Sequence, residues 1–414
     1  MTEPLKGIRV IDLSHVIAGP LASFYLAQFG ADVMKIEAPA GGDIWRRSRK
    51  VGESEIPPGF VSVNAGKRSV AIDIRTEEGA DAIRKLAQEA DVFVENFRPG
   101  VVKKYGLDYH TIKELNPNIV YCSISGYGQT GEWARRPAYD HVIQALTGMM
   151  MMGGEKNSPP TKVGFPVVDV AVGMLGAMSI MAAICEQQRT GRGQYISASM
   201  VQASMMLMYP CAVDIIASGQ DYERVGNRGY SGSPTADTYQ CVDGWLAISA
   251  NTVPQFKSLM TVLELEDVCQ DERALDMKSF NAPVGGIVVA NDLEYLRQRL
   301  HNAFAHRSAS ELEKQLNELS VPASRVRSLG EFLQTANTSP ELIDIVSRNY
   351  DGGAELIETP GFGFKFGETT SGQVFPGAPM HGADTEDVLV SLGWSAQKIA
   401  ELNAQNKIHC YEKL

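Results

Sequence analysis

Six cations cluster in the first quarter of the chain, near the expected ends of strands: Lys67, Arg68, Arg75, Arg98, Lys103 and Lys104. Guanidinium and ammonium groups can bind phosphate, although a lone surface Lys or Arg is more often a solvated charge. Two carboxylates occupy the other positions with chemical potential. Asp169 opens a long apolar run in Pro166-Val-Val-Asp-Val-Ala-Val-Gly173, and Asp140 lies in Ala138-Tyr-Asp-His-Val-Ile-Gln144. An aspartate heading an apolar helix gains from the dipole and the orphan N–H groups, which would keep it ionised. On residue type alone, capping a helix is the commoner role for such an aspartate. His15 and His141 invite acid–base readings, but a lone histidine is more often structural.

Much chemistry is missing. The first strand–helix turn, Leu13-Ser-His-Val-Ile-Ala-Gly-Pro20, holds one glycine and a proline, so a G-x-G-x-x-G dinucleotide site is disfavoured. Neither a P-loop nor H-E-x-x-H nor an EF-hand pattern occurs. Gly229-Tyr-Ser-Gly-Ser233 lacks the last glycine of a serine-nucleophile elbow and reads as a linker turn. Cys122, Cys185, Cys211, Cys241, Cys269 and Cys410 are scattered, with no zinc spacing, so no metal site is expected. Such thiols fit a reducing cytoplasm, and Met1-Thr-Glu-Pro-Leu-Lys6 lacks the layout of a signal peptide. The 414 residues carry 38 basic and 49 acidic side chains, a net charge of −11 that argues against a nucleic-acid or polybasic membrane partner. Residues 1–140 are balanced, so the acidic excess lies beyond them and the first third can host an anionic ligand.

The elements that must position these groups follow from periodicity. Ile8–Leu13, Asp32–Glu37, Ser69–Ile74, Asp91–Val94 and Asn118–Ser123 read as strands, with helices between them. Pro20–Phe29 forms one such helix, and Thr76 caps another. Alternating strands and helices predict right-handed βαβ units and a parallel sheet, with ligands at the carboxyl ends of the strands. The uncharged Val170–Cys185 run spans only ~24 Å as a helix, short of a bilayer core of ~30 Å, and reads as a fully buried helix. Gly173 and Ala177 on one face would admit another backbone. A strand and a helix over Met200–Ser218 follow, then the Gly- and Ser-rich residues 218–234, a smaller mixed region to about 325, a second loop-rich stretch around Tyr350–Gly353 and Thr359–Gly363, and an amphipathic helix near Thr385–Leu392.

At four points the sequence strongly resembles the class III CoA-transferases, the family of formyl-CoA and carnitine CoA-transferases. These are the opening Leu5-Lys-Gly-Ile-Arg-Val-Ile-Asp-Leu13 with Ala18-Gly-Pro20 and Gly30-Ala-Asp-Val-Met-Lys-Ile-Glu37; Asn64-x-x-Lys67-Arg-Ser-Val-Ala-Ile-Asp73; Asp91-Val-Phe-Val-Glu-Asn-Phe-Arg-Pro-Gly100 with Ser125-Gly-Tyr-Gly-Gln-Thr130; and Arg189-Thr-Gly-Arg-Gly-Gln194. Weaker echoes run through Asp243-Gly-Trp245, Val321-Pro-Ala323 and Ala378–Leu389. The resemblance implies an α/β fold: a large Rossmann-like open parallel-sheet domain plus a smaller α/β domain, in an interlocked-ring homodimer. The large domain would take residues 1–217, a linker 218–234 and the small domain 235–325, with 326–414 returning to the large domain. Acyl-CoA would be a substrate, with no permanently bound cofactor, and a small carboxylic acid the second partner.

By family position, Ile17, Ala18, Ile72, Asp73, Arg75, Asn96, Phe97, Arg98, Lys104, Arg136 and Tyr139 should contact CoA, and Asp169 should be the nucleophile. Neighbouring apolar residues would then keep water from a hydrolysable anhydride. Asp140 stands where formyl-CoA transferase has a second active-site carboxylate, a glutamate. The related α-methylacyl-CoA racemases use a Gly-His-Asp sequence where this chain has Ala138-Tyr139-Asp140, and tyrosine, with an ordinary pKa of ~10, poorly replaces that histidine. Transfer is therefore expected, with racemisation or catalytically silent CoA binding as alternatives. Ile17 replaces an amide residue of formyl-CoA transferase, and no run of four glycines is present, which argues against formyl/oxalate specificity. Met149–Met152 could line an acyl pocket, but core packing is the commoner use of such a run.

Overall fold

The computed structural model describes residues 3–52, 54, 56–229, 232–282, 287–339, 341–349, 356–364 and 374–412. It divides into two compact units, Met1–Met150 with Lys162–Asp221 and Pro340–Leu414, and Met151–Thr161 with Tyr222–Ser339. Tyr350–Gly353 and part of the Gly229–Ser233 turn lie outside the described residues.

The first unit alternates as the periodicity predicts: β1 (Arg9–Asp12), α1 (Ala18–Gln28), β2 (Asp32–Glu37), α2 (Pro58–Asn64), β3 (Arg68–Ile72), α3 (Glu77–Gln88), β4 (Val92–Glu95), α4 (Tyr109–Leu115), β5 (Val120–Ser125), α5 (Asp140–Leu146), α6 (Val167–Thr190) and β6 (Tyr195–Ser199). The strands form one parallel sheet in the order β3-β2-β1-β4-β5-β6, extended at β3 by an antiparallel strand, Ile408–His409. β1 to β5 are buried on both faces and read as near-continuous apolar runs, whereas the edge strand β6 exposes Tyr195 and Ser197. Val10, Val33 and Val94 face a core shared with α1 and α6, whereas Ile11, Met34 and Phe93 face a second core with α3, α4 and the C-terminal helices. Thr76 caps α3 as expected, its side chain accepting from Gly79 N.

Two helical expectations need correction. α6 is not fully buried and not short: it runs 24 residues, long and apolar enough by length and composition to cross a membrane. Half of its most apolar stretch is buried, with Val172, Gly176 and Ile180 in the core, while Met174 and Met178 are exposed. Polar residues from Glu186 to Thr190 carry the helix past the apolar run, until Gly191 ends it at φ 68°. The Met200–Ser218 helix is two helices, α7 (Met200–Leu207) and α8 (Tyr209–Ser218), bent by 82°. Pro210 in the first turn of α8 cannot continue a preceding helix.

The second unit is built on an antiparallel sheet of Asp237–Cys241, Gly244–Ile248 and Ala323–Arg325, covered by helices. Tyr239, Leu246, Phe256, Leu300 and Phe304 form its core.

Candidate active site

Chain order reverses between β1 and β4: β2 follows β1 on one side, and β4 flanks it on the other. At such a switch point the loops leaving the carboxyl ends diverge and open a crevice. A cavity of about 390 Å³ lies there, walled by the loops after β1, β4 and β5. The Asn96 amide locks the first two loops together, its Oδ1 accepting from His15 N at 2.9 Å and its Nδ2 donating to His15 O at 2.8 Å. The His15 and Phe97 rings pack with centroids 5.2 Å apart. Burial pushes the His15 imidazole below its ordinary value. Val16 sits at φ 71°, where a β-branched side chain is strained by roughly 1–2 kcal/mol. Beneath this loop lies a buried ionic cluster. Lys67 Nζ meets Asp12 Oδ2, Pro20 O and Asn64 Oδ1, each at 2.9 Å. Burial pushes Asp12 up, but Lys67 and Lys35 outweigh it and hold the carboxyl far below the usual range.

Asp169 reaches the cavity because α6 packs tightly on α1. A Cβ at Gly173 would stand 2.8 Å from Ala18 O, and one at Gly176 would stand 3.2 Å from Ala22 Cβ. The expectation for Asp169 itself needs revision. It does not cap α6. Its carboxylate has no hydrogen bond among the described residues, and the first-turn amides of Val168 and Asp169 are taken by Asp140 Oδ2 at 2.7 and 3.1 Å. Asp140, buried at the start of α5, uses its other oxygen to accept from Gln144 Nε2, whose Oε1 accepts from Val163 N at 2.9 Å. The helix N-terminus therefore stabilises Asp140, not Asp169. Burial, and then the Asp140 charge, push the Asp169 carboxyl up to about 7. It is ionised in only part of the molecules at neutral pH, and the ionised form is more basic than an ordinary aspartate.

Ile17, Ala18, Asn96, Phe97, Arg98, Arg136, Tyr139 and Asp169 all line this one cavity. Ile72, Asp73, Arg75, Lys104 and Asp140 do not. The Ile72 side chain is buried in the core, and Arg75 is held by Asp73 through two bonds of 2.8 Å. Of the six clustered cations, Lys67 is consumed by Asp12, and Arg68 pairs with Asp32 and Asp384 at 3.3 Å. Arg98, Lys103 and Lys104 are exposed with no carboxylate partner among the described residues. Arg136 stacks over Trp133 at 3.9 Å and reaches Glu132 at 3.5 Å. Sequence reasoning set His15 aside and missed Val16, Ser125, Gly126 and Met200, which also line the cavity. The signal available was position: Val16 lies in the loop after β1, Ser125 closes β5 and Gly126 follows it. Met149 and Met150 are buried, Met149 within the core shared by α1 and α6.

A parallel sheet with helices on both sides, and at its switch point a cavity lined by a carboxyl that has no hydrogen bond among the described residues, define an α/β fold of the doubly wound class. The chain belongs to CoA-transferase family III, which it matches over residues 5–385. It is 37% identical over 279 residues to a succinate–glutarate CoA-transferase of Agrobacterium fabrum, covering 65% of this chain and 69% of that one. It is 34% identical to a succinyl-CoA:mesaconate CoA-transferase of Haloarcula hispanica, over 88% of this chain and 90% of the relative. A solved CaiB/BaiF family protein of Brucella suis, 28% identical, superposes with a TM-score of 0.80 over 95% of this chain and 100% of its own.

Proposed function

We propose that this chain transfers CoA from an acyl-CoA to a small carboxylic acid, with Asp169 as the covalent nucleophile. Ionised Asp169 attacks the thioester carbonyl and CoA leaves as thiolate, giving an aspartyl–acyl anhydride. The thiolate then attacks the aspartyl carbonyl, releasing the first acid and forming an aspartyl-CoA thioester. The acceptor carboxylate attacks that thioester, and the thiolate returned by this step attacks the acceptor's carbonyl, restoring Asp169. The observation that carries this reading is a cavity-lining carboxyl with no hydrogen bond among the described residues, pushed up to about 7 by burial and by Asp140. A pKa near the working pH leaves a usable ionised fraction that is a stronger nucleophile than an ordinary aspartate.

The named relatives transfer CoA between four- and five-carbon dicarboxylates, succinate with glutarate in one and succinyl-CoA with mesaconate in the other, which supports a short dicarboxylate as donor or acceptor. Tyr139, 74% exposed beside the cavity, disfavours racemisation, since no imidazole stands at that position. The apolar side chains of Met174, Met178, Met206 and Ile216, exposed along α6–α8, support a homodimer. Free cysteines throughout suit a reducing, cytoplasmic setting.

Acyl-CoA with hydroxylamine should leave a hydroxamate on Asp169, found by peptide mass spectrometry, and D169A should abolish transfer. Unmodified Asp169 together with full activity in D169A would falsify the assignment. Solvent deuterium entering the α-carbon without an acceptor acid would instead mark a racemase.

A further inference from the structure

Lys35, on β2, is fully buried, and its ammonium group is divided between two segments that back the cavity wall without lining it, the loop after β1 and the turn after β2. Nζ donates to Ser14 O at 2.8 Å and stands 2.9 Å from Asp43 Oδ2. Asp43, six residues beyond the end of β2, aims its carboxylate back at the same loop. Both oxygens accept from Val16 N, at 3.2 and 3.3 Å, and Oδ1 also takes Trp45 N at 3.0 Å. Asp43 is fixed in turn, because its own N–H donates to Glu37 Oε2 at 3.0 Å and Glu37 is clamped by Arg46 through two bonds of 2.7 Å. One cation and one anion thus hold the carbonyl of Ser14 and the amide of Val16, on either side of His15.

The residue so held is the one at φ 71°. Valine does not adopt the left-handed region unless its surroundings impose it, and such strain persists only where the structure over-determines the backbone. Here the Asn96 amide fixes His15 while the Asp43 carboxylate fixes Val16. A buried ion pair adds little net stability relative to a well-packed apolar pair, so fold stability alone does not explain this one. What the pair supplies is geometry, at His15, Val16, Ile17 and Ala18, which together form the wall that shares the cavity with Asp169.

We propose that Lys35 and Asp43 are positioning residues, which hold the Ser14–Ile17 backbone in its strained form and so shape the acyl-CoA cavity. This rests on the reading of the cavity as the acyl-CoA site. Neither side chain lines the cavity, so both act through the loop.

The test is a double-mutant cycle between D43N and V16G. Glycine enters the left-handed region without penalty, so it needs the anchor far less than valine does. D43N should raise KM for acyl-CoA about tenfold when residue 16 is valine, and by no more than about threefold in the V16G background. A merely structural role would lower the folded fraction, and hence the apparent kcat, while leaving KM alone, so the two parameters are read separately. If D43N does not fold, D43E, which keeps the anion but moves it by one methylene, takes its place in the cycle. An unchanged KM in the D43 variant, or the same fold-change in both backgrounds, overturns the proposal while wild-type hydroxamate trapping at Asp169 still stands. Absence of acyl-CoA turnover by the wild-type chain overturns both readings.

Discussion

Asp140 caps the helix that carries Asp169, its Oδ2 accepting from the backbone amides of Val168 and Asp169 at 2.7 and 3.1 Å. One carboxylate takes the amides that would otherwise favour the ionised form of its neighbour, and adds its own negative charge nearby. The two acids are therefore driven apart in role: Asp140 is satisfied and buried, while the Asp169 carboxyl has no hydrogen bond among the described residues and lines the cavity. Pairs of titratable groups with such divergent surroundings are how active sites separate a structural acid from a reactive one.

Removing the Asp140 charge should make Asp169 easier to ionise. In wild-type protein the rate of hydroxamate trapping should fall as pH drops through about 7, because protonated Asp169 is not nucleophilic. In D140N, which keeps one acceptor oxygen for the helix, this acid limb should move toward the ordinary aspartate range. D140A should in addition lose about 1 kcal/mol of stability with the cap. A pH profile of D140N that overlays the wild type would show that Asp140 does not act on Asp169 electrostatically.

The sheet was legible because buried parallel strands print continuous apolar runs, and Asp32–Glu37 matches β2 residue for residue. The cluster Asn96–Arg98 and the head of α1 were legible through the family motifs and fall in one cavity. The cap on α6 was not, because it comes from a residue more than twenty positions upstream, and no local pattern records it. Val16 was hidden for a different reason. Left-handed backbone usually announces itself with glycine, but here the conformation is imposed on a valine by Asp43, a contact that exists only once β2 lies beside β1. Lys67 misled in the opposite direction: its charge suggested phosphate, but it is spent inside the protein on Asp12.

Asp169 should make the protein less stable as pH rises. Its folded-state pKa, about 7, lies above its value of 3.8 in an unfolded chain, so folding favours the protonated form. The penalty is absent below about pH 4, grows between 4 and 7, and is constant above. D169N removes it and should be more stable than wild type at pH 8 by about 2–4 kcal/mol, after allowance for partial solvent screening. Denaturant titrations at pH 4 and pH 8 measure the difference, and an equal offset at both would mean that Asp169 ionises normally.

Two glycines on α6 should respond differently to the same methyl group. At Gly173 an added Cβ meets the Ala18 carbonyl at 2.8 Å, a backbone atom at the head of α1 that cannot swing away. At Gly176 the nearest atoms are Ile124 Cδ1 at 3.1 Å and Ala22 Cβ at 3.2 Å, and the isoleucine tip can yield. Alanine is the better helix former by about 1 kcal/mol, which offsets part of either clash. G176A should therefore stay within about 1 kcal/mol of wild type, while G173A should lose about 1–3 kcal/mol and raise KM for acyl-CoA by shifting Ile17 and Ala18. Equal stability of the two variants would mean that α1 and α6 are not held together at Gly173.

Glu95 ends β4 directly beneath the Asn96–Arg98 loop, buried, and its Oε2 accepts from Phe97 N at 2.8 Å. Burial pushes it up to about 7, and the bonds from Ser123 and Phe97 N only partly oppose that rise. No cation pairs with it among the described residues, so its ionised form is costly and its use must lie in the bond to Phe97. E95Q keeps an acceptor for that amide and cannot ionise. It should retain acyl-CoA binding near the wild-type level and gain stability over wild type as pH rises through 7, with no gain below about pH 4.5. E95L keeps the volume but leaves Phe97 N unbonded, a loss of about 1–3 kcal/mol that should loosen the loop and raise KM for acyl-CoA several-fold. Isothermal titration with CoA and urea unfolding of both variants separate the two effects. If E95L binds CoA as tightly as E95Q does, the carboxyl is a tolerated burial and not the strut of the loop.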